Sequence, residues 1–266
     1  MRAIWLVAFC LLLSSIALAA VQSDSQMQPF KLSIEEVWKP KEELKVQKGA
    51  RYFMSFAPNG SGVLVERGNI FDIATNEPIL SKALPGLSYA EFTSDGVLLV
   101  VVGDQMGYVL AGEVKLGIKL PAKGFRLSRG KGDAIYLYGK ADKDHWAIYK
   151  YIKGGDYLKY LEIQERINGV AEAKGGLYFA VRNSIYQAIP GKPLELVFVS
   201  PFVEKIDAIG YDSSHDRLYF SSDKGVFLLL DGRLARLLED VRGEIKMADR
   251  LYLRDYVTGK VYAVSD

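Results

Sequence analysis

Leu177-Tyr178-Phe179 returns as Leu218-Tyr219-Phe220 and again as Leu251-Tyr252-Leu253, with Tyr136-Leu137-Tyr138 as a looser copy upstream. An apolar phrase that recurs roughly every 40 residues marks a repeat architecture rather than one irregular domain. Working outward from it, six units align. In each, a first apolar segment passes through a polar turn into a second. Phe53-Met-Ser-Phe leads through Pro58-Asn-Gly-Ser-Gly to Val63-Leu-Val, and Tyr89-Ala-Glu-Phe through Ser94-Asp-Gly to Val97-Leu-Leu-Val-Val-Val. Phe125-Arg-Leu, Val170-Ala-Glu, Ile206-Asp-Ala-Ile and Ile245-Lys-Met open the other four. A third segment comes after each pair and, in most units, a fourth: Pro78 to Leu84, Val114 to Leu120, Tyr157 to Ile163, Leu194 to Val199 and Arg233 to Leu238.

These segments are too short for helices of three turns. The two helical candidates, Ile34 to Val46 with Pro40 inside it and Leu234 to Val241, read equally well as strands. Val97 to Val101 and Val226 to Leu230 are apolar on consecutive residues. A strand with one wet face would alternate, so these strands are covered on both faces. Four-stranded antiparallel sheets repeated around a ring meet that requirement. The expected fold is all-β: a six-bladed β-propeller over residues 30–266, with blades starting near 51, 88, 125, 167, 206 and 244. The last unit ends after three strands, while Lys31 to Lys48 holds spare strand-forming residues. The N-terminal segment is therefore expected to close the final blade and remove a free edge. Tyr178 and Tyr219, each between two apolar residues, are expected to pack between blades.

Phe56-Ala-Pro-Asn-Gly-Ser-Gly-Val-Leu and Phe92-Thr-Ser-Asp-Gly-Val-Leu-Leu resemble the turn of TolB-type and WD40-like propellers. Asp212-Ser-Ser-His-Asp-Arg-Leu-Tyr-Phe-Ser-Ser-Asp is similar to the strand pairs of strictosidine-synthase-like and YWTD six-bladed propellers. The resemblance implies architecture alone, because Asn, Asp and Gly stand in these turns for the backbone shape that a tight hairpin needs.

Arg2, the apolar run Ile4 to Ile16 and Ala17-Leu18-Ala19 read as a signal peptide over residues 1–19, with 20–29 a flexible lead. An uncleaved anchor is the alternative, but the run falls short of the roughly 20 residues of a membrane span. The single cysteine, Cys10, lies in this leader behind Phe9, where a lipid-anchored export signal would carry a small residue. The mature chain then holds no cysteine, which excludes disulfides, thiolate nucleophiles and Cys-ligated metals. An exported chain without disulfides points to a bacterial periplasmic or secreted protein. The net charge of +2 falls to +1 without Arg2. That balance gives no electrostatic case for nucleic acid or an anionic membrane as partner.

Motifs for catalysis are absent: there is no phosphate-binding loop, no metalloprotease helix and no Gly-x-Ser-x-Gly elbow. His145 in Asp142-Lys-Asp-His and His215 in Asp212-Ser-Ser-His-Asp sit in polar turns expected on opposite faces, so no shared metal site is expected. Asn59-Gly-Ser, a formal glycosylation sequon, reads as a turn. Loops between second and third strands gather with the blade connections at one end of the ring. That end carries Asn69, Gln105, Lys143, Asp144, Asn183, Lys224 and Asp255, and Arg67, Asp104, Arg182, Asp223 and Arg254 are its ligand-face candidates. The leading functional expectation is a non-catalytic binding or scaffold propeller without cofactor, whose partner is a protein or another envelope component. The alternative is a calcium-dependent hydrolase resembling the gluconolactonase and senescence-marker group, which uses Glu, Asn and Asp at inner strand ends. Glu91, Asn168 and Asp207 are the residues of those types near first strands.

Overall fold

The structure, a computed structural model, describes residues 32–39, 53–66, 68–152 and 156–265. The expected signal peptide, the lead and Arg67 lie outside the described residues. Strand β1 (Ser33–Trp38) precedes the first blade in sequence and belongs to the last. Blade 1 is β2 (Phe53–Phe56), β3 (Gly62–Glu66) and β4 (Asn69–Asp72). Blade 2 is β5 (Leu87–Phe92), β6 (Leu98–Val102), β7 (Gln105–Leu110) and β8 (Glu113–Lys119). Blade 3 is β9 (Arg126–Arg129), β10 (Ala134–Lys140), β11 (Trp146–Ile152) and β12 (Tyr157–Ile163). Blade 4 is β13 (Ile167–Ala173), β14 (Gly176–Val181), β15 (Ser184–Ala188) and β16 (Glu195–Val199). Blade 5 is β17 (Ile206–Asp212), β18 (Arg217–Ser222), β19 (Gly225–Leu230) and β20 (Arg233–Leu238). Blade 6 is β21 (Gly243–Met247), β22 (Leu251–Asp255) and β23 (Val261–Ser265), completed by β1.

All pairings are antiparallel and the ring is a six-bladed propeller. Its closure agrees with the expectation: β1 lies on β23 from Ser33 opposite Ser265 to Trp38 opposite Val261. The first and last described strands thus share one sheet, and the backbone groups of β23 are not left at an open edge. Blade 1 departs from the expectation. Pro78 to Leu84 makes a single bridge, Pro78 to Phe71, rather than a fourth strand. Pro78 has no N–H for a ladder, and Ser81 turns away to donate its backbone N–H to the Gly112 carbonyl of blade 2.

The core is six layers, one between each pair of neighbouring blades. Val65, Ile70, Ala90 and Val100 fill the first of them; Phe179 and Tyr138 lie in the third. At the seam between blades 6 and 1, Phe56 stacks on Tyr252 with ring centroids 3.6 Å apart. The position of the recurring phrase accounts for its composition. It occupies second strands, which are covered by a blade on either side, so Leu218, Tyr219 and Phe220 are all buried. Tyr219 agrees with the sequence expectation, and Tyr178, half-buried, meets Tyr211 of the next blade edge-on at 5.5 Å. The hairpin turns need left-handed backbone, supplied by Gly60 (φ 83°) and Gly96 (φ 81°).

Candidate functional site: the central channel

First strands line the axis of a propeller, and here three of them are irregular at their start. β5, β13 and β17 each shift register around their second residue: Ser88, Asn168 and Asp207. A bulge inserts one residue and re-aims its side chain. Gly169, next to one of these bulges, is there for close approach. A Cβ on it would come within 2.9 Å of the Ile209 backbone nitrogen. Blades 4 and 5 therefore converge where Asn168 and Asp207 stand.

Four ionisable groups meet in the channel from blades far apart in sequence. The Lys246 ammonium donates to the Tyr89 hydroxyl (2.9 Å) and to Glu91 Oε2, and lies 3.9 Å from Glu244 Oε1. The Tyr89 hydroxyl donates to Glu244 Oε1 at 3.3 Å. Glu91 Oε1 accepts from the Ser55 hydroxyl at 2.7 Å, and Glu244 Oε2 accepts from the Met54 N–H at 3.1 Å. Arg254 approaches Glu244 Oε2 at 3.6 Å. The side chains of Lys246, Glu91 and Glu244 are 10%, 3% and 7% exposed, so these charges sit in a poorly solvated site.

Burial and charge move the protonation equilibria in consistent directions. Burial pushes Glu244 above the usual carboxylate range, although Lys246 and Arg254 oppose it. Burial pulls the Lys246 ammonium down, but Glu91 and Glu244 outweigh it and the net shift is upward. Burial, then the Glu244 charge, raises the Tyr89 phenol, which stays protonated. Asp207 is the contrasting case. Burial would raise it, yet hydrogen bonds from Arg242 and Lys205 hold its carboxyl below the usual range. Arg242 grips both oxygens, with Nη2 to Oδ1 at 3.1 Å, and Lys205 Nζ is 2.8 Å from Oδ1.

Tyr89, Glu91, Asp207, Glu244 and Lys246 border a cavity of about 90 Å³. At its far end Arg129 crosses the axis, donating to the carbonyl oxygens of Phe56 in blade 1 (3.0 Å) and Met247 in blade 6. Beyond Arg129 lies a wider basin of about 500 Å³ on the other face, bordered by His215, Lys131 and Arg250.

Of the described ligand-face candidates, three sit in turns between second and third strands and one does not. Arg182, in the β14–β15 turn, opens on the mouth that also holds Asn168 and Lys205, but its Nε pairs with Glu165 at 2.7 Å. Asp104 lies in the β6–β7 turn, where its carbonyl accepts from Leu120. Asp223 is exposed beside Lys224 at 3.7 Å. Arg254 corrects the expectation of an exposed loop residue. It lies in β22, is 2% exposed, and faces Glu244 and the Tyr256 ring. The two histidines occupy opposite faces, each bound to the Asp three residues before it. By contrast, Glu91, Asn168 and Asp207 all border the central cavity. Sequence reasoning missed Lys246, Glu244, Tyr89 and Arg126. For Lys246, Glu244 and Arg126 the one signal is charge in a first strand, as in Glu244-Ile-Lys246 between apolar neighbours.

No family model and no curated protein matches the chain. Solved structures do. A gluconolactonase from Xanthomonas campestris is 14% identical over 86% of this chain and 94% of its own, with a TM-score of 0.62. Virginiamycin B lyase from Staphylococcus aureus is 14% identical over 83% of this chain and 82% of its own, with a TM-score of 0.58. The calcium-binding protein regucalcin from Agrobacterium tumefaciens is 13% identical over 80% and 88%, with a TM-score of 0.60. At these identities the likeness establishes the propeller fold. Against the leading expectation of a non-catalytic scaffold, the similar propellers include a gluconolactonase and a lyase by name.

Calcium does not fit this channel as it is built. Hard divalent cations need several free oxygen ligands. Glu91 is taken by Lys246, and Asp207 by Arg242 and Lys205. Only the Asn168 Oδ1 is buried without a partner among the channel's described oxygens. Among the described residues no three His, Cys, Asp or Glu side chains are grouped to hold a metal.

Proposed function

We propose that the chain is a hydrolase acting on small esters or lactones in the central channel, with Lys246 supplying the fixed positive charge. One observation carries the reading: a buried Lys246, Tyr89, Glu91 and Glu244 constellation beside a small cavity. Burying several charges is costly for stability, and perturbed ionisable groups in a cleft mark functional sites. The enzyme names borne by similar propellers support the class of activity.

Ester hydrolysis needs a base for water, a positive group for the oxyanion and a proton for the leaving oxygen. Glu244, its basicity raised by burial, takes a proton from water as the water oxygen attacks the carbonyl carbon. The carbonyl electron pair moves onto oxygen, and the Lys246 ammonium opposes that new charge. When the pair returns, the bond to the alcohol oxygen breaks, and this oxygen takes the proton back from Glu244. Tyr89 stays protonated and fixes Glu244 through its hydroxyl. Glu91 holds Lys246 in place.

Acid release from a panel of lactones and simple esters, followed with a pH indicator, tests this. The wild-type chain is expected to hydrolyse at least one class equally with and without a chelator. Glu244→Gln is expected to lower turnover by roughly 10²–10⁴-fold. A folded wild-type protein that releases acid from none of the panel overturns the reading. Export belongs to the same proposal, resting on Arg2, the apolar run and Ala17-Leu18-Ala19. Mature protein recovered outside the cytoplasm should begin at Ala20.

A further inference from the structure

Arg126 opens β9 and borders the same cavity as the proposed base. Among the described residues no carboxylate is in ion-pairing contact with its guanidinium, which lies 5.6 Å over the Phe53 ring. The other cations along the channel are engaged: Lys246 has Glu91, Arg254 has Glu244, Arg242 and Lys205 share Asp207, and Arg129 donates to two backbone carbonyls. Six cations thus face four carboxylates, Glu91, Glu172, Asp207 and Glu244, and Arg126 is in ion-pairing contact with none of them among the described residues. In the adjoining blade, bordering the same cavity, Asn168 Oδ1 is a buried acceptor with no donor among the described residues. A guanidinium without an anion and an amide oxygen without a donor are both expensive states in a site of this dryness.

We propose that Arg126 and Asn168 form a binding site for a small α-hydroxycarboxylate group. The carboxylate pairs with the Arg126 guanidinium, which presents two parallel donors to it, and the hydroxyl donates to Asn168 Oδ1. A fully ionised phosphate offers no donor and would set negative oxygen against Oδ1, so the amide selects the hydroxylated carboxylate. The cavity of about 90 Å³ accepts a group of a few heavy atoms and nothing as large as a sugar chain. The site rests on the hydrolase reading only for its meaning: there it recognises the acid end of an anionic substrate or the hydroxy acid released. Its existence does not depend on turnover.

The test is binding, on the whole chain, with glycolate, acetate and glycolamide as probes and titration calorimetry as readout. Glycolate is expected to bind, acetate about tenfold more weakly for want of the hydroxyl, and glycolamide not measurably. Asn168→Ala should bring glycolate down to acetate while leaving acetate unchanged. Arg126→Gln should abolish both, and Arg126→Lys, which keeps the charge but not the fork, should bind each at least tenfold more weakly. Glycolamide matching glycolate, undiminished glycolate binding by folded Arg126→Gln, or no glycolate binding by wild type at tens of millimolar overturns the proposal. Binding as expected without any ester or lactone turnover sinks the hydrolase reading and leaves this site standing. Turnover without glycolate binding does the reverse.

Discussion

Replacing Lys246 by Met removes the cation that two buried carboxylates depend on. The stem is retained in volume, so the loss is electrostatic rather than a cavity. Glu91, 3% exposed, keeps only the Ser55 hydroxyl as partner, and Glu244 loses one of its two cations. Breaking a buried ion pair on one side costs about 3–5 kcal/mol, and in a domain of this size each kcal/mol lowers Tm by roughly 2–4 °C. The expected fall is therefore about 6–20 °C at pH 7. The pH dependence comes from the raised pKa of Glu244. A carboxyl that binds its proton more tightly when folded favours the folded state below its unfolded pKa, about 4.3. That advantage is lost as pH rises through the folded value. Without Lys246 the Glu244 carboxyl is pushed further up, so the deficit should be largest at neutral pH and shrink toward pH 4–5. The double variant Glu91→Gln, Lys246→Met should recover much of the loss, because replacing both partners removes the uncompensated charge. Thermal melts of wild type, the two single variants and the double variant at pH 5 and pH 7 decide it. A Lys246→Met variant within about 0.5 kcal/mol of wild type at pH 7, or a deficit independent of pH, refutes the electrostatic account.

Three further outcomes are expected. Asp207→Asn should cost about 1–2 kcal/mol at pH 7, discounted because Arg242 and Lys205 are nearly half exposed; since the folded pKa is depressed, the difference should vanish as pH falls below it, which urea titrations at pH 7 and pH 3 would show. Tyr219→Ala should cost about 3–5 kcal/mol and the half-buried Tyr178→Ala clearly less, a ranking measured by denaturant midpoints. Deleting residues 30–46 removes β1 from β23 and should produce a sharp fall in Tm or aggregation; an unchanged melt would show that the ring closes without it.

The repeat and the closure were legible because both are local. A strand covered on two faces writes itself as consecutive apolar residues, as in Val97 to Val101, and a missing strand at one terminus matches a spare one at the other. The first blade misled because Pro78-Ile-Leu has strand composition, and only its path toward Gly112 shows that it leaves the sheet. The channel was legible by residue type alone. Glu91, Asn168 and Asp207 stood out as polar groups in first strands, but their partners did not. Lys246 and Glu91 are 155 positions apart, and nothing in either segment announces the other until the ring has closed. Arg254 misled for the same reason. It comes directly after a recurring apolar phrase in what reads as a loop, and its burial depends on Glu244 across the strand pair.

Arg129 gives the channel a direction. Its guanidinium ties the carbonyl of Phe56 to that of Met247, the two blades at which the ring is sewn shut, and it does so from blade 3 across the axis. On the proposed reading, a substrate for Lys246 arrives by the mouth beside Asn168, a residue that borders both that mouth and the cavity. Under that reading substrate and product share one mouth. The wide basin behind Arg129 is a separate room, and solutes that collect there should leave events at Lys246 untouched.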